Sequence, residues 1–224
     1  MVLTASQGYE LWSDHYDADP NPLLALESRI LSPRLGQLAG TSVLDVAAGT
    51  GRWMSHAAQC GARTTGIDVS PQMLRIAAGK QSLAGRLVLG DARSLPFQSD
   101  SVDLAICSFA LSYLPFATAA LGEMARVARR VIVSDLHPAA MLRGWTRSFQ
   151  SEGRSWKIEQ FYHSLADLNQ TACAAGMSLQ WTAEATFDLP ELHLFELAGK
   201  RALFENVSGT PAVFAASWVK SSCG

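Results

Sequence analysis

The sequence lacks an excess of charge of either sign. Its 18 lysines and arginines nearly balance 20 aspartates and glutamates, which leaves a formal net charge of −2 at pH 7. Nucleic-acid-binding proteins present a positive field to the phosphates, and this chain has no lysine-rich arm. We therefore expect no nucleic-acid partner. Because 48% of the residues are hydrophobic and only 17% are charged, we expect a globular fold rather than disorder.

Cysteine is also scarce. The four cysteines, Cys60, Cys107, Cys173 and Cys223, are widely separated and form neither a CxxC pair nor a Cys/His cluster. This pattern indicates neither a disulfide framework nor a zinc site, so we expect no metal. The first residues also lack the basic and apolar regions of a signal peptide. We expect a cytoplasmic protein.

Long uninterrupted apolar runs are absent. The most apolar stretch, 102–121, is interrupted by Asp103, Ser108, Ser112 and Pro115. Polar residues and proline at this density do not suit a membrane span. The stretch instead predicts a buried strand, a loop and a helix, and we expect no membrane partner.

Short apolar runs alternate with helix-like segments, and this order favours parallel strands joined by crossovers. Helix starts are predicted at Asn21-Pro22 and Ser70-Pro71, and a helix from Gly51 is predicted to end at Gly61. A late helix is predicted near 164–175 and another near 191–205. The predicted strands are 42–47, 63–68, 86–90, 102–108, 131–136, 179–187 and 212–219. The fold class is therefore α/β: a doubly wound, Rossmann-like, mostly parallel seven-stranded sheet with an antiparallel edge strand and helices on both faces.

The turn after the first predicted strand is rich in small residues. Segment 43–53 reads Val-Leu-Asp-Val-Ala-Ala-Gly-Thr-Gly-Arg-Trp. Gly49 and Gly51 have no Cβ, so a ligand can approach the backbone, and the following helix start offers free N–H groups. This turn is typical of cofactor sites. The alternative is that the glycines only permit a tight strand-to-helix connection.

Asp68 closes the second predicted strand, where a doubly wound nucleotide site needs a carboxylate for ribose hydroxyls. A single aspartate at a strand end is also common as a helix cap or a solvated turn residue. Here Ser70 already supplies the cap. Its position relative to the glycines therefore favours a binding role for Asp68.

Together these elements resemble the class I S-adenosylmethionine-dependent methyltransferases, especially the small-molecule branch that includes quinone-biosynthesis methyltransferases. The resemblance extends over nearly the whole chain. It rests on Asp-Val-Ala-Ala-Gly-Thr-Gly at 45–51, Gly-Ile-Asp-Val-Ser-Pro-Gln-Met-Leu at 66–74, Gly-Asp-Ala at 90–92 and Ser108-Phe109. One departure is Ala47, where many relatives have the first glycine of the motif.

The resemblance implies a cofactor, S-adenosyl-L-methionine, with S-adenosyl-L-homocysteine as product, and a role for each matching residue. Gly49 and Gly51 would border the methionine part, with Ala47 and Ser108 beside the same turn, and Asp45 would organise the methionine ammonium. The remaining assignments are Asp68 on the ribose, Val69 or Met73 near adenine, and Asp91 and Ala92 near the adenine amine.

The resemblance also implies a division of the chain into one methyltransferase domain over residues 1–224. We expect an N-terminal helical lid at 1–40, a cofactor-binding core at 41–136, a substrate-covering segment at 137–163, and C-terminal helices and edge strands at 164–224. A nicotinamide-dependent oxidoreductase is the less favoured enzyme, because Met54 occupies the third position of a G-x-G-x-x-G fingerprint.

Methyl transfer chiefly requires alignment of the nucleophile, the methyl carbon and the sulfur, and a general base only for a reluctant proton. His137 follows the fifth predicted strand and is the candidate base, with His163 a weaker one. Alternatively, His137 satisfies local backbone groups or pairs with Asp135. Tyr113, after the fourth strand, is a candidate catalytic or substrate-lining hydroxyl, or merely covers the core.

Two aromatic groups are candidates to cover the site. Tyr9, Trp12 and Tyr16 recur at helical spacing and would form a lid with Tyr16 near the sulfonium, although such a stripe is also common in simple packing. The second group lies in 137–163, among three arginines, and suits an apolar or anionic acceptor unless it only stabilises an insertion. Its members are Trp145, Phe149, Trp156, Phe161, Tyr162, Arg143, Arg147 and Arg154.

The absence of one sequence motif limits the class of methyl acceptor. Ser108-Phe-Ala-Leu111 stands where amino-group nucleic-acid methyltransferases carry an Asn/Asp-Pro-Pro-Tyr/Phe motif. We therefore expect methyl transfer to oxygen, nitrogen or carbon of a small molecule, with oxygen preferred because His137 could deprotonate a hydroxyl. A protein that binds the cofactor without transferring the methyl group, as a sensor or partner subunit, is the alternative of a different class.

Overall fold

The computed structural model describes residues 2–13, 16–17, 21–80, 83, 86–151 and 153–221. Cys223 lies outside these ranges. The strands are β1 Val2–Leu3, β2 Ser42–Val46, β3 Arg63–Asp68, β4 Leu87–Leu89, β5 Val102–Ser108, β6 Ala128–Leu136, β7 Ser148–Ser151, β8 Arg154–Ile158, β9 Met177–Ala185 and β10 Val213–Lys220. The helices are α1 Ala5–Trp12, α2 Pro22–Leu31, α3 Arg52–Gln59, α4 Pro71–Ala78, α5 Ala117–Val127, α6 Pro138–Leu142, α7 Leu165–Ala174, α8 Leu189–Leu197 and α9 Arg201–Val207.

The main sheet has seven strands in the order β4-β3-β2-β5-β6-β10-β9. Strands β2 to β6 pair in parallel, whereas β10 runs antiparallel to both β6 and the edge strand β9. From β2 the next strands, β3 and β4, are added on one side, whereas β5 and β6 are added on the other. This reversal between β2 and β5 leaves a crevice at their carboxyl ends. The predicted fold class is confirmed, including the antiparallel pairing of the last two strands at one edge.

Burial on both faces of the sheet explains why its strands are almost continuously apolar. Leu44, Val46 and Ala105 join a core cluster under α5 and α7, whereas Val43 and Leu104 join a second cluster with α2, α3, α8 and α9. Successive side chains of a strand point to opposite faces, so one apolar run fills two cores. Helices therefore cover both faces, as expected.

The predicted helix starts are also confirmed. The Asn21 side chain accepts hydrogen bonds from the Leu23 and Leu24 amides, and the Ser70 hydroxyl accepts one from Met73. Each cap is followed by a proline at the first helical position, where the missing N–H costs nothing. None of the helices in the described ranges is long and apolar enough to cross a membrane.

Two features differ from the expectations. The single helix predicted over 191–205 is two helices, α8 and α9, because the chain turns at Gly199, whose φ is +65°. The second is a small sheet of order β1-β8-β7, which no sequence pattern predicted. There β1 pairs in parallel with β8, so the chain's first residues lie beside segment 154–158.

We expect Gly51→Ala to destabilise the fold more than Gly40→Ala. Both glycines have φ +77°, so each alanine carries the same left-handed strain of about 1–2 kcal/mol. A Cβ at Gly51 would lie 2.5 Å from Leu83 Cδ1, whereas one at Gly40 would meet no atom within 4 Å. Overpacking adds about 1–3 kcal/mol to the loss at Gly51 alone. Denaturant unfolding of the two variants measures the difference, and equal losses would contradict this packing account.

Candidate functional site

A cavity of about 530 Å³ opens at the carboxyl ends of β2, β3, β4 and β5. The surrounding chain comes from the turns after these strands, from α1 and from the segment after β8. Eleven of the residues with a predicted cofactor or catalytic role line it: Asp45, Ala47, Gly49, Asp68, Val69, Met73, Asp91, Ala92, Ser108, Tyr16 and Tyr113. Gly51 and His137 do not.

The turn after β2 has the backbone shape that a close ligand requires. Gly49 has φ +55°, and a Cβ placed on it would meet no protein atom within 4 Å, so this face of the turn opens into the cavity. Ala47 also has a positive φ, +56°, which costs a residue with a Cβ about 1–2 kcal/mol. A Cβ on Gly51 would instead meet Leu83 and Ala77, so this side of Gly51 packs against the protein, and its contact with the cofactor remains a prediction.

Asp68 joins two turns at the cavity wall. Its Oδ2 accepts a hydrogen bond of 2.7 Å from the Gly49 amide, and its Oδ1 accepts one of 2.8 Å from the Ser70 amide. Burial raises the pKa of Asp68, and the amides of Ser70 and Gly49 oppose that increase. A carboxylate has about four acceptor sites, so both oxygens can still accept from ligand hydroxyls.

Asp45 is the buried carboxyl at the floor of the cavity. It is 2% exposed and accepts a hydrogen bond of 3.2 Å from the Met54 amide at the start of α3. Burial raises the pKa of Asp45 to about 7, although the Met54 amide and Arg52 oppose the increase. A cation placed beside it would favour the charged carboxylate. Asp45 is therefore suited to receive an ammonium group.

At the opposite end of the cavity, Asp91 is already paired. Arg93 donates to both Asp91 oxygens, at distances from 2.6 to 3.1 Å, and this pairing lowers the pKa of Asp91. A ligand amine at Asp91 would compete with Arg93. Beside this pair, Val69, Met73 and Ala92 give the cavity an apolar surface suited to a flat ring.

A buried network under the cavity was not predicted. Glu27, on α2, is fully buried and accepts hydrogen bonds from Arg52 and from the hydroxyls of Ser108 and Ser134. Arg52 also donates to Ser108 and lines the cavity, so Ser108 is held between charged groups. The signal that could have found Glu27 is its helical spacing: Ile30 and Leu31, three and four residues on, are buried.

The aromatic residues of the predicted lid form a cluster of stacked and edge-to-face rings at one side of the cavity. Tyr9 contacts Trp12 at 6.1 Å, Tyr16 at 5.8 Å and Tyr113 at 5.5 Å between ring centroids. Tyr9 and Trp12 are in α1, whereas Tyr16 lies beyond its end. Asp17, next to Tyr16, accepts a hydrogen bond of 2.8 Å from Thr50 of the turn after β2. The segment beyond α1 is thus fastened to the turn after β2, residues 47–51, hereafter the cofactor turn.

The structure does not support the predicted histidine bases. His137 lies beside β9 and β10, where its Nδ1 accepts from the Ala139 amide at 3.0 Å and its Nε2 lies 3.3 Å from a Glu184 oxygen. It caps α6, which is the alternative local role. His163 Nε2 lies 2.8 Å from the Leu114 carbonyl oxygen and does not line the cavity.

The residues of segment 137–163 lie partly in the core, partly at the surface and partly at the cavity. Phe161 lines the cavity, whereas Trp145 stacks on Phe187 at 6.2 Å within the core. Arg154 is exposed and Arg143 donates to Thr210. In contrast, Arg147 is only 5% exposed. Within the described ranges, no group of three potential metal-ligating side chains occurs.

Comparison with known proteins gives the family context of this site. Residues 43–131 match the family model described as a methyltransferase domain. The demethylmenaquinone methyltransferase of Tropheryma whipplei is 37% identical over 123 residues, which cover 51% of this chain and 50% of that protein. This chain spans about a third to a half of the length of the curated relatives it matches.

Solved structures extend the likeness to most of the chain. An S-adenosylmethionine-dependent methyltransferase from Mesorhizobium loti matches with a TM-score of 0.68 and 19% identity, covering 89% of this chain and 100% of that one. Magnesium protoporphyrin IX methyltransferase from Synechocystis, with bound SAH, matches with a TM-score of 0.65 and 22% identity over 96% and 95% of the two chains. At these identities the structures establish the fold. With the sequence matches, they confirm the resemblance to class I S-adenosylmethionine-dependent methyltransferases.

Replacing Glu27 with Gln should strongly destabilise the protein, because Arg52 loses its buried counter-charge. Removing one partner of a buried ion pair costs about 3–5 kcal/mol, and since the Arg52 side chain is 29% exposed we expect a loss at or below the lower end of this range. The double variant Glu27→Gln/Arg52→Gln should recover part of this loss. Glu10→Gln, at an exposed position, should change the free energy of unfolding by no more than about 0.5 kcal/mol. Urea unfolding tests all three variants, and a loss below about 1 kcal/mol for Glu27→Gln would contradict the pairing.

Proposed function

We propose that this chain, which has the fold and the cofactor-turn sequence of the class I S-adenosylmethionine-dependent methyltransferases, transfers a methyl group to oxygen, nitrogen or carbon of a small molecule. The observation that carries the proposal is the joint position of Gly49, Asp68 and Asp45 around one cavity. An open glycine turn, a carboxylate at the second strand and a buried carboxyl at the floor suit an adenosyl amino acid.

S-adenosylmethionine supplies an electrophilic methyl carbon on a sulfonium, and the protein's residues bind and orient it. Asp68 would accept hydrogen bonds from the ribose hydroxyls, and Asp45 would face the amino acid's ammonium. The apolar surface of Val69, Met73 and Ala92 suits the adenine ring. Asp91 would reach the adenine amine only by sharing its oxygens with Arg93.

Tyr113 is the remaining candidate for direct contact with the acceptor. Its hydroxyl is buried beside that of Tyr9, and its own proton has no acceptor among the described residues. Burial raises the pKa of Tyr113 to about 12, although Arg147 opposes the increase. At neutral pH the hydroxyl is therefore protonated and would orient an acceptor atom by donating a hydrogen bond. We propose that Tyr113 positions the acceptor and does not act as the base.

The aromatic lid supports a reaction shielded from water. Tyr9, Tyr16 and Tyr113 line the cavity, and the bond from Thr50 to Asp17 fastens the segment beyond α1 to the cofactor turn. Water exclusion strengthens the electrostatic contacts and protects the reactive carbon. A demethylmenaquinone methyltransferase is among the relatives, which supports a small-molecule acceptor.

Calorimetric titration with S-adenosylhomocysteine, S-adenosylmethionine and NAD tests the cofactor. We expect the two adenosyl sulfur compounds to bind and NAD not to bind. Asp68→Ala should weaken binding by about 1.5–3 kcal/mol, because it removes hydrogen bonds to a charged group. The control is Asp103→Ala, which also removes a carboxylate bound to backbone and hydroxyl groups, those of Ser42, but lies outside the cavity.

The outcomes separate the candidate functions. Equal affinities of Asp68→Ala and wild type would contradict the proposed ribose contact, and binding of NAD alone would favour an oxidoreductase. Formation of S-adenosylhomocysteine from S-adenosylmethionine in a metabolite mixture would establish transfer. Tight cofactor binding without product from any acceptor would favour a sensor or partner subunit.

The affinity for S-adenosylhomocysteine should rise with pH between about 5.5 and 7, because its ammonium remains charged there and favours ionised Asp45. The pKa of Asp45 near 7 means that the free protein is mostly protonated at the lower end, so binding releases a proton. Each pH unit below the pKa should weaken binding by up to about tenfold. Calorimetry in buffers of different ionisation enthalpy measures the proton. If the affinity still rises with pH in Asp45→Asn, another group is responsible for the pH dependence.

A further inference from the structure

Arg147 is a buried cation without a bonding partner. It is 5% exposed, and neither Nη1 nor Nη2 donates a hydrogen bond to any described residue. An arginine stays protonated in proteins, so the charge persists despite burial. A buried charge normally requires a paired acceptor, and an uncompensated one costs several kcal/mol. The fold alone offers no reason to keep such a group.

The backbone of Arg147 is fixed on both sides. Its amide donates to Gln160 Oε1 at 2.9 Å, and its carbonyl accepts from the Ile158 amide at 2.9 Å. The guanidinium carbon lies 4.9 Å from the ring centroid of Phe109 and 5.8 Å from that of Trp12. Phe109 lines the cavity, so the charge lies directly behind the cavity wall. Aromatic faces stabilise a cation but do not accept its N–H groups in the way an oxyanion does.

The nearest carboxylate is already occupied. Asp135 accepts from the Ser112 amide at 2.8 Å, from the Ser112 hydroxyl at 2.9 Å and from the Leu136 amide at 2.7 Å. No oxygen of the described residues forms an ion pair with Arg147 within 4.0 Å, although Asp135 acts on it electrostatically. The proton of the Tyr113 hydroxyl beside this cluster also has no acceptor among the described residues. Donors therefore exceed free acceptors at this end of the cavity.

The strands that carry the neighbours of Arg147 differ from those that carry the proposed cofactor contacts. Asp68 and Asp91 follow β3 and β4, whereas Phe109 and Tyr113 follow β5 and Asp135 is in β6. In the sheet order these strands lie on opposite sides of β2. The guanidinium thus lies behind the half of the cavity that remains for the acceptor, with Phe109 between them.

We propose that the acceptor carries a carboxylate, which the Tyr113 hydroxyl binds and the buried charge of Arg147 attracts from behind Phe109, while the methylated atom lies toward the cofactor turn. The inference rests on the proposed methyltransferase function and names the acceptor class of that site. A cation held among aromatic rings acts strongly on a nearby anion, because little water screens its charge. Phe161, Leu114 and Pro115 line the same side and receive the apolar part of the acid.

The test uses three acids with their neutral amides: acetate and acetamide, benzoate and benzamide, octanoate and octanamide. Each compound is titrated by calorimetry into the free protein and into protein saturated with S-adenosylhomocysteine. We expect at least one acid to bind the saturated protein at least tenfold more tightly than its amide. Arg147→Met should abolish this preference, while Arg147→Lys, which keeps the positive charge, should retain most of it.

Two controls separate this role from a structural one. Arg154→Met removes an exposed arginine of the same segment and should leave acid binding unchanged. Arg147→Met should bind S-adenosylhomocysteine within about twofold of wild type, and its thermal midpoint should be equal or higher, since a buried charge is removed. A lowered midpoint without any loss of acid preference would assign Arg147 to structure.

The proposal is overturned if no acid binds better than its amide, or if Arg147→Met binds the acids as wild type does. Failure of the proposed function has a different signature. It appears as a lack of S-adenosylhomocysteine binding in wild type, whatever the acids do in the free protein.

Discussion

The hydrogen bond from the Gly49 amide to the Asp68 carboxylate is the contact on which the site depends. It joins the turn after β2 to the turn after β3, and the second Asp68 oxygen holds the Ser70 amide at the start of α4. One buried carboxylate therefore sets the width of the crevice and the direction of the following helix. The group proposed to bind the ribose also builds the wall around it, so binding and local structure are coupled at this residue.

Buried charges divide the cavity floor into two electrostatic regions. Asp45 lies near the cofactor turn, whereas Arg147 lies behind Phe109 and Trp12 at the other side. Glu27 and Arg52 neutralise one another between the core and the cavity. Charges at low dielectric act strongly on whatever enters. Such an arrangement favours a cation near Asp45 and an anion toward Arg147, as the two proposals require.

The sequence predicted the sheet well, because periodicity and turn residues are local. The bounds of β3 and β5 agree with the prediction to the residue. Contacts between distant segments were not visible: the pairing of Val2 with Lys157 joins the two ends of a long stretch of chain. The surroundings of the His137 ring have the same origin. Its position after a strand was right, but the neighbouring β10 and β9 gave its ring other partners.

The reversed strand β10 has a consequence for synthesis of the chain. It contains residues 213–220, yet it lies between β6 and β9 and bonds to both. A chain emerging from the ribosome in order can pair β2 to β6 early, but β6 keeps an open, apolar edge until β10 is made. Unpaired strand edges are prone to wrong association. Pairing of β10 with β6 thus closes this edge and removes one route to aggregation of the growing chain.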